Sequence, residues 1–170
     1  MSANETPSSA PPSTQGAPGE WLKEHPADAF ARWFPEMEAS LAATIDLVVA
    51  AAGIGPGMTV LDVGCGAGIP ALRLAEIVGA DGRVVAADPS AVLITAVTRN
   101  AAERGLTNVE PVQASAAGLP FSPESFDAVT CTFGVMFFTD LKAGLVRIRE
   151  LLRPGARAVF TAWVRRPRTC

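Results

Sequence analysis

The sequence predicts an α/β domain built on a doubly wound, mostly parallel sheet. Three observations carry that prediction. From about residue 36, short strand-like runs alternate with helix-period segments. The strand-like runs are nearly continuous in apolar residues, as strands covered on both faces are. One strand-to-helix junction carries three glycines at alternate positions, Gly64, Gly66 and Gly68. Right-handed crossovers between parallel strands then place helices on both faces of the sheet.

The elements follow in order. Met37, Leu41, Ile45, Val48 and Ala52 recur every three or four residues and share one helical face, and Gly53 supplies the stop. Met58 to Val63 is the first strand. Pro70 suits the first turn of the next helix, whose buried stripe is Leu74, Ile77 and Val78, and Gly79 with Asp81-Gly82 breaks it. Arg83 to Asp88 is the second strand. Ser90 N-caps a helix through Ile94, Val97 and Ala101 that ends at Gly105. Asn108 to Gln113 is the third strand, and Pro111 within it predicts a sheet edge, because proline donates nothing to a ladder. Phe126 to Thr132 is the fourth strand, Leu141, Leu145, Ile148 and Leu152 form the next helix face, and Ala156 to Val164 is the fifth strand.

Composition bounds the function. The chain has 170 residues, 49% of them apolar and 18% charged, which excludes a wholly disordered protein. A net charge of −3 gives no electrostatic footprint for nucleic acid or an anionic membrane. Three scattered cysteines and one histidine, His25, provide neither a disulfide framework nor a metal site. No apolar run is long enough to span a bilayer. Residues 1–20 hold four Pro, four Ser, two Thr and two Gly with no Lys or Arg. They read as a disordered tail, neither a secretory signal nor a transit peptide, so the cytoplasm is the expected location. Residues 21–56 then form an N-terminal helical lid segment, 57–164 the cofactor-binding α/β domain, and 165–170 a basic tail whose arginines read as solubilising charge.

The stretch Val60-Leu61-Asp62-Val63-Gly64-Cys65-Gly66-Ala67-Gly68 is the most informative. Glycine permits a sharp turn and removes the Cβ that would block a ligand. Asp88 closes the second strand twenty residues beyond Gly68, where a carboxylate can accept both hydroxyls of a ribose. A dinucleotide fingerprint is G-x-G-x-x-G, with a helix N-terminus aimed at pyrophosphate. Here the spacing is G-x-G-x-G. Asp62, two residues before the first glycine, would repel a pyrophosphate but attract an ammonium or sulfonium group, directly or through water. The pattern therefore favours a zwitterionic, nucleoside-containing cofactor over a nicotinamide dinucleotide. A glycine triplet alone would also suit a ligand-free βα turn; Asp62 and Asp88 argue against that.

With VLDVGCGAG, AADPS, SFDAVTC and LLRPGARAVFTAW in this order and spacing, the chain resembles class I S-adenosylmethionine-dependent methyltransferases. The closest likeness is to small-molecule enzymes of the ubiquinone/menaquinone-biosynthesis type, over roughly residues 21–164. The resemblance implies a Rossmann-like methyltransferase fold and S-adenosylmethionine as cofactor. It implies that Gly64, Gly66 and Gly68 admit the methionine part and ribose, and that Asp62 lies near the methionine ammonium. Asp88 would hold the ribose hydroxyls, Pro89 would pack on adenine, and the backbone at Cys131 and Thr132 would line the methionine side. Two departures stand out. Where the family usually places an acid for the adenine amino group, this chain has Ala114-Ser115-Ala116-Ala117, so Ser115 is the nearest match, with Ala116 beside it. A lost hydrogen bond there costs about 0.5–1.5 kcal/mol. The family sheet has seven strands, and five are present here.

Methyl transfer needs an acceptor positioned in line with the sulfonium methyl, and a base only where the acceptor must lose a proton. His25 is the only side chain with an intrinsic pKa near neutrality, but beside Pro26 it reads as an ordinary surface residue, so no catalytic residue is assigned. Phe133, Met136, Phe137 and Phe138 follow the fourth strand, and suit either an apolar acceptor wall or packing against the next helix. Trp21 and Trp33 suit a lid or core filling equally. Cys65 has no cationic neighbour in sequence that would make it a reactive thiol. The expected function is transfer of a methyl group from S-adenosylmethionine to a small, apolar or aromatic acceptor. The alternative is a truncated or degenerate relative without independent activity, able to pair with another chain through its uncovered fifth-strand edge. A nicotinamide oxidoreductase is disfavoured by the glycine spacing and Asp62.

Overall fold

The computed structural model describes residues 34–163; the expectations for the N-terminal tail, Trp21, His25, Trp33 and the basic C-terminus lie outside them. Among the described residues the order is α1 (Phe34–Ala52), β1 (Thr59–Val63), α2 (Ile69–Val78), β2 (Arg83–Asp88), α3 (Ala91–Glu103), β3 (Val109–Gln113), β4 (Phe126–Thr132), α4 (Leu141–Leu151) and β5 (Leu152–Thr161). Short 3-10 turns cover Ala116–Gly118 and Val135–Phe137. The five strands form one parallel sheet in the order β3-β2-β1-β4-β5. The chain first winds outward through β2 to β3, then crosses back beyond β1 to β4 and β5. That reversal makes the carboxyl ends of β1 and β4 the topological switch point.

Strand alternation divides the core between the two faces. Val60, Val84, Ala86 and Ala128 pack with α1, α2 and α3. Leu61, Val63, Val85, Ala87, Val129 and Cys131 pack with Ile148 and Leu151 of α4. Helix α1 buries Ile45, Val48 and Ala52 of its expected face. Its Phe34 joins Leu72 of α2 and Leu93 of α3 in a third cluster. The Ser90 hydroxyl caps α3 by accepting from Leu93 N, and Pro70 sits in the first turn of α2. β3 is an edge strand, as Pro111 requires.

Two expectations need correction. The buried face of α4 is Gly144, Ile148 and Leu151, whereas Leu141 and Leu145 are exposed. Gly144 sets that rotation: a Cβ on it would stand 2.9 Å from the Phe138 ring and 3.1 Å from Ala116 Cβ, so the helix approaches through its glycine. β5 starts four residues earlier than expected, because Leu152 already pairs with Phe126. A register shift follows before Arg157 pairs with Ala128, and the strand ends at Thr161, short of the expected Val164. No helix among the described residues is long and apolar enough to cross a membrane.

Candidate functional site

The carboxyl ends of β1, β2 and β4 meet around the glycine loop. Leaving β1, Gly64 N and Cys65 N both donate to the Ala87 carbonyl of β2, at 2.8 and 3.1 Å. Gly66 N donates to Asp88 Oδ2 at 3.1 Å, and Ser90 N donates to Asp88 Oδ1 at 2.9 Å. Asp88 thus clamps the loop to the start of α3 with one bond per oxygen, leaving acceptor capacity on each. Its pKa is raised, because burial outweighs the two amide donors. Ala114 N donates to the Asp88 carbonyl at 3.1 Å, and Gln113 Nε2 to the Pro89 carbonyl at 3.3 Å. The β3 end, with Ser115 after it, therefore borders the same rim.

The loop is shaped by glycine where a side chain would not fit. Gly64 has φ +68°, and a Cβ on it would stand 3.2 Å from Gly134 Cα. Here the segment after β4 leans on the loop. Gly66 has φ +58°, and a Cβ there would meet no protein atom within 4 Å, so that surface is open to a ligand. Gly68 has φ +96° and stands at the N-cap of α2, tucked against Val97.

Asp62 is completely buried at the end of β1. Its Oδ1 accepts from Thr130 Oγ1 at 2.8 Å, and its Oδ2 has no hydrogen-bond partner. Burial pushes its pKa up to about 7, opposed by the Thr130 hydroxyl and reinforced by the charge of Asp88. A buried carboxylate oxygen without a partner calls for a cation or a proton. The neighbouring thiols supply neither. Burial raises Cys65 well above the usual thiol range and Cys131 to about 12.

The sequence-predicted residues fall into four groups. Asp62, Gly64, Gly66, Gly68 and Asp88 converge on the loop. Pro89 and Ser115 are exposed at the β2 and β3 ends. Ala116 and Cys131 are buried among the side chains of the α4 face, so any ligand contact they make is through backbone. Thr132 ends β4 with its Oγ1 buried and unpartnered. Sequence reasoning missed Thr130 and, although it singled out Phe133, the stacking of that ring on Trp163. Phe133 has φ +58°, rare for a bulky residue, and its N–H donates to Thr161 Oγ1 at 3.0 Å. Its ring stacks on Trp163 with centroids 4.4 Å apart and planes 11° from parallel. An unusual φ has no signature in single-sequence hydropathy, although two aromatics following neighbouring parallel strands was a legible hint.

The fold and loop define a nucleoside-cofactor-binding α/β protein. Residues 60–155 match the family model of the methyltransferase domain. Over 109 residues the chain is 40% identical to 2-phytyl-1,4-naphtoquinone methyltransferase of Trichormus variabilis, covering 64% of this chain and 48% of that protein. Among solved structures it is similar to a SAM-dependent methyltransferase from Aquifex aeolicus, with 27% identity and a TM-score of 0.68, covering 73% of this chain and 66% of that one. It is also similar to coclaurine N-methyltransferase bound to N-methylheliamine and SAH, with 27% identity and a TM-score of 0.58, covering 65% of this chain and 31% of that one. The chain belongs to the methyltransferase-domain family, in its class I S-adenosylmethionine-dependent branch. It spans about half the length of the curated relatives it matches. The cofactor of this fold is S-adenosylmethionine, and the residues present fit it. The unpartnered Asp62 oxygen suits a cationic group, the open face of Gly66 suits a close ligand, and the spare acceptor capacity of Asp88 suits a diol.

Proposed function

We propose that the chain binds S-adenosylmethionine across the carboxyl ends of β1, β2 and β4 and methylates a small, apolar or aromatic acceptor. The supporting observation is the pair of buried carboxylates flanking an open glycine loop. In this reading Asp88 accepts from the ribose hydroxyls while its amide bonds hold the loop in place. Pro89 and Ser115 flank the adenine, and Ser115 offers a hydroxyl where an acid is more usual. Asp62 faces the ammonium, and the Cys131–Thr132 backbone borders the methionine part. When bound, the cofactor supplies an electrophilic methyl group on a sulfonium centre. The protein's work is then orientation and exclusion of water around that group, which a dry, preorganised strand end performs without a base.

The aromatic pair supports the acceptor class. Phe133 directly precedes Gly134, which touches the glycine loop, so the Phe133–Trp163 stack stands beside the cofactor site. Trp163 is 74% exposed, and in the short turn after Phe133 Met136 is half-buried and Phe137 exposed. Residues held at a rare φ persist where surrounding structure fixes them, and they cluster at ligand sites. A relative named for a naphthoquinone points to the same chemistry. The reading includes an α/β domain over 57–164 covered by the 21–56 segment, a cytoplasmic location, no nucleic-acid partner, and self-association through the outer edge of β5.

Calorimetric titration with S-adenosylmethionine and S-adenosylhomocysteine, with NAD as control, tests the cofactor assignment. Binding of the first two alone supports it, and no binding to a folded chain overturns it. Methyl transfer to planar aromatic alcohols against saturated analogues then tests the acceptor class.

A further inference from the structure

Two buried side-chain oxygens at the switch point have no hydrogen-bond partner, Asp62 Oδ2 and Thr132 Oγ1. Both lie on one face of the sheet. Asp62 alternates with Leu61 and Val63, which pack toward α4, so it points with Val60 toward the layer of α1, α2 and α3. On β4, Val129 and Cys131 pack toward α4, which leaves Thr130 and Thr132 on the face of Asp62. Thr130 is the register partner of Asp62. Its hydroxyl donates to Oδ1 at 2.8 Å, and the residue is fully buried. Thr132 stands two residues further along β4, about 6.6 Å nearer the mouth, and is 9% exposed.

A lone carboxylate on a short side chain rotates about its terminal torsion, which is broad and nearly two-fold. A donor fixed to one oxygen removes that freedom and leaves the other oxygen committed to one direction. We propose that Thr130 is a positioning residue for the cationic end of the cofactor. It holds Asp62 Oδ1 so that Oδ2 receives the ammonium, with the Thr132 hydroxyl as an added polar group of the same pocket. This rests on the S-adenosylmethionine reading above. The other titratable groups around Asp62 are Asp88, Cys65 and Cys131. The charged residues of the covering helices, Glu38 and Asp46 of α1, Arg73 and Glu76 of α2, and Arg99 and Glu103 of α3, are exposed or half-exposed among the described side chains.

The test compares two adenosine probes. S-adenosylhomocysteine carries the amino-acid end, and 5′-methylthioadenosine lacks it. Thr130→Val keeps the shape and removes the hydroxyl, and Thr130→Ser keeps the hydroxyl. Calorimetry on the full chain should show Thr130→Val weakening S-adenosylhomocysteine about tenfold, the loss of one charge-assisted hydrogen bond. Methylthioadenosine should be unchanged, and Thr130→Ser should restore the affinity. Equal weakening of both probes, or of neither, overturns the assignment. If wild type binds neither probe while folded, the cofactor reading itself fails, a distinguishable result. A readout without ligand guards against a poorly folding valine variant. Carbon-detected NMR should place the Asp62 titration midpoint higher in Thr130→Ala than in Thr130→Ser; identical midpoints overturn the proposal.

Discussion

Asn100 Nδ2 donates to the Ala67 carbonyl oxygen at 3.0 Å, tying the last turn of α3 to the glycine loop. Asn100 is 6% exposed, so this bond is made away from water. Replacing it with Leu keeps the volume and strands a buried carbonyl. The expected loss is about 1–3 kcal/mol in urea unfolding. Cofactor affinity should fall with it, because the carbonyl belongs to the loop that carries Gly66. Unchanged affinity in a folded Asn100→Leu protein would show that the loop holds its shape without α3.

The glycines separate folding from binding. Gly66→Ala adds a Cβ into open space, so its folding cost is the left-handed backbone alone, about 1–2 kcal/mol. It should nevertheless abolish binding of S-adenosylhomocysteine. Gly64→Ala adds a Cβ against backbone, 3.2 Å from Gly134 Cα, and should cost more stability than Gly66→Ala. Gly57→Ala is the control, with φ +77° and open space far from the loop, and should spare binding. Thermal melts beside calorimetry read both quantities.

Asp88→Ala removes the acceptor for two backbone amides and for the proposed ribose contacts. Two charge-assisted bonds to ligand amount to roughly a hundredfold in affinity. The loss should appear equally with S-adenosylhomocysteine and 5′-methylthioadenosine, since both carry the ribose. A variant that weakens only one of them would place Asp88 elsewhere on the cofactor.

Asp62 makes stability and binding respond to pH in opposite directions. Its pKa rises from 3.8 to about 7 on folding, so between those values the native state holds a proton that the unfolded state has released. Stability of the ligand-free protein should therefore fall as pH climbs from about 4 toward 7, then level off. A cationic ligand favours the ionised carboxylate, so affinity should rise over the same interval, with proton release. Asp62→Asn should flatten both curves, apart from the smaller contribution of Asp88, whose pKa is also raised. Melting temperatures and calorimetry in buffers of different ionisation enthalpy check this.

The parts legible in the sequence were those written locally. β2 and β4 occupy the expected residues because each is a short run rich in apolar and β-branched residues with a breaker nearby, Gly82 and Pro89 around β2 and Gly134 just after β4. Asp62, the three glycines and Asp88 were readable because a strand-turn-helix spacing places them. What escaped depends on partners distant in the chain. Thr130 reads as an ordinary strand residue until β4 is laid beside β1, 68 residues away. The α4 face was misplaced because Gly144 carries no hydrophobic signal, although it makes the closest approach. The start of β5 was hidden because Leu152 fits the period of the helix before it, and Pro154 and Gly155, both poor strand formers, lie at an irregularity inside the pairing with β4.

Pro111 has a consequence for stoichiometry. The Asn108 carbonyl accepts from Val84 N, and Ala114 N donates to the Asp88 carbonyl, so the even-numbered residues of β3 turn their peptide groups toward β2. The odd-numbered residues face outward, and Pro111 leaves a missing donor in the middle of that outer row. A further strand cannot zip along it. In the self-association proposed above, the β3 edge of the described sheet is therefore closed to a partner strand, which leaves the β5 edge. Units with one port join in twos and stop, whereas units with two grow into filaments. One proline on the far side of the sheet thus makes the proposed pairing of the described domain through β5 a self-terminating one.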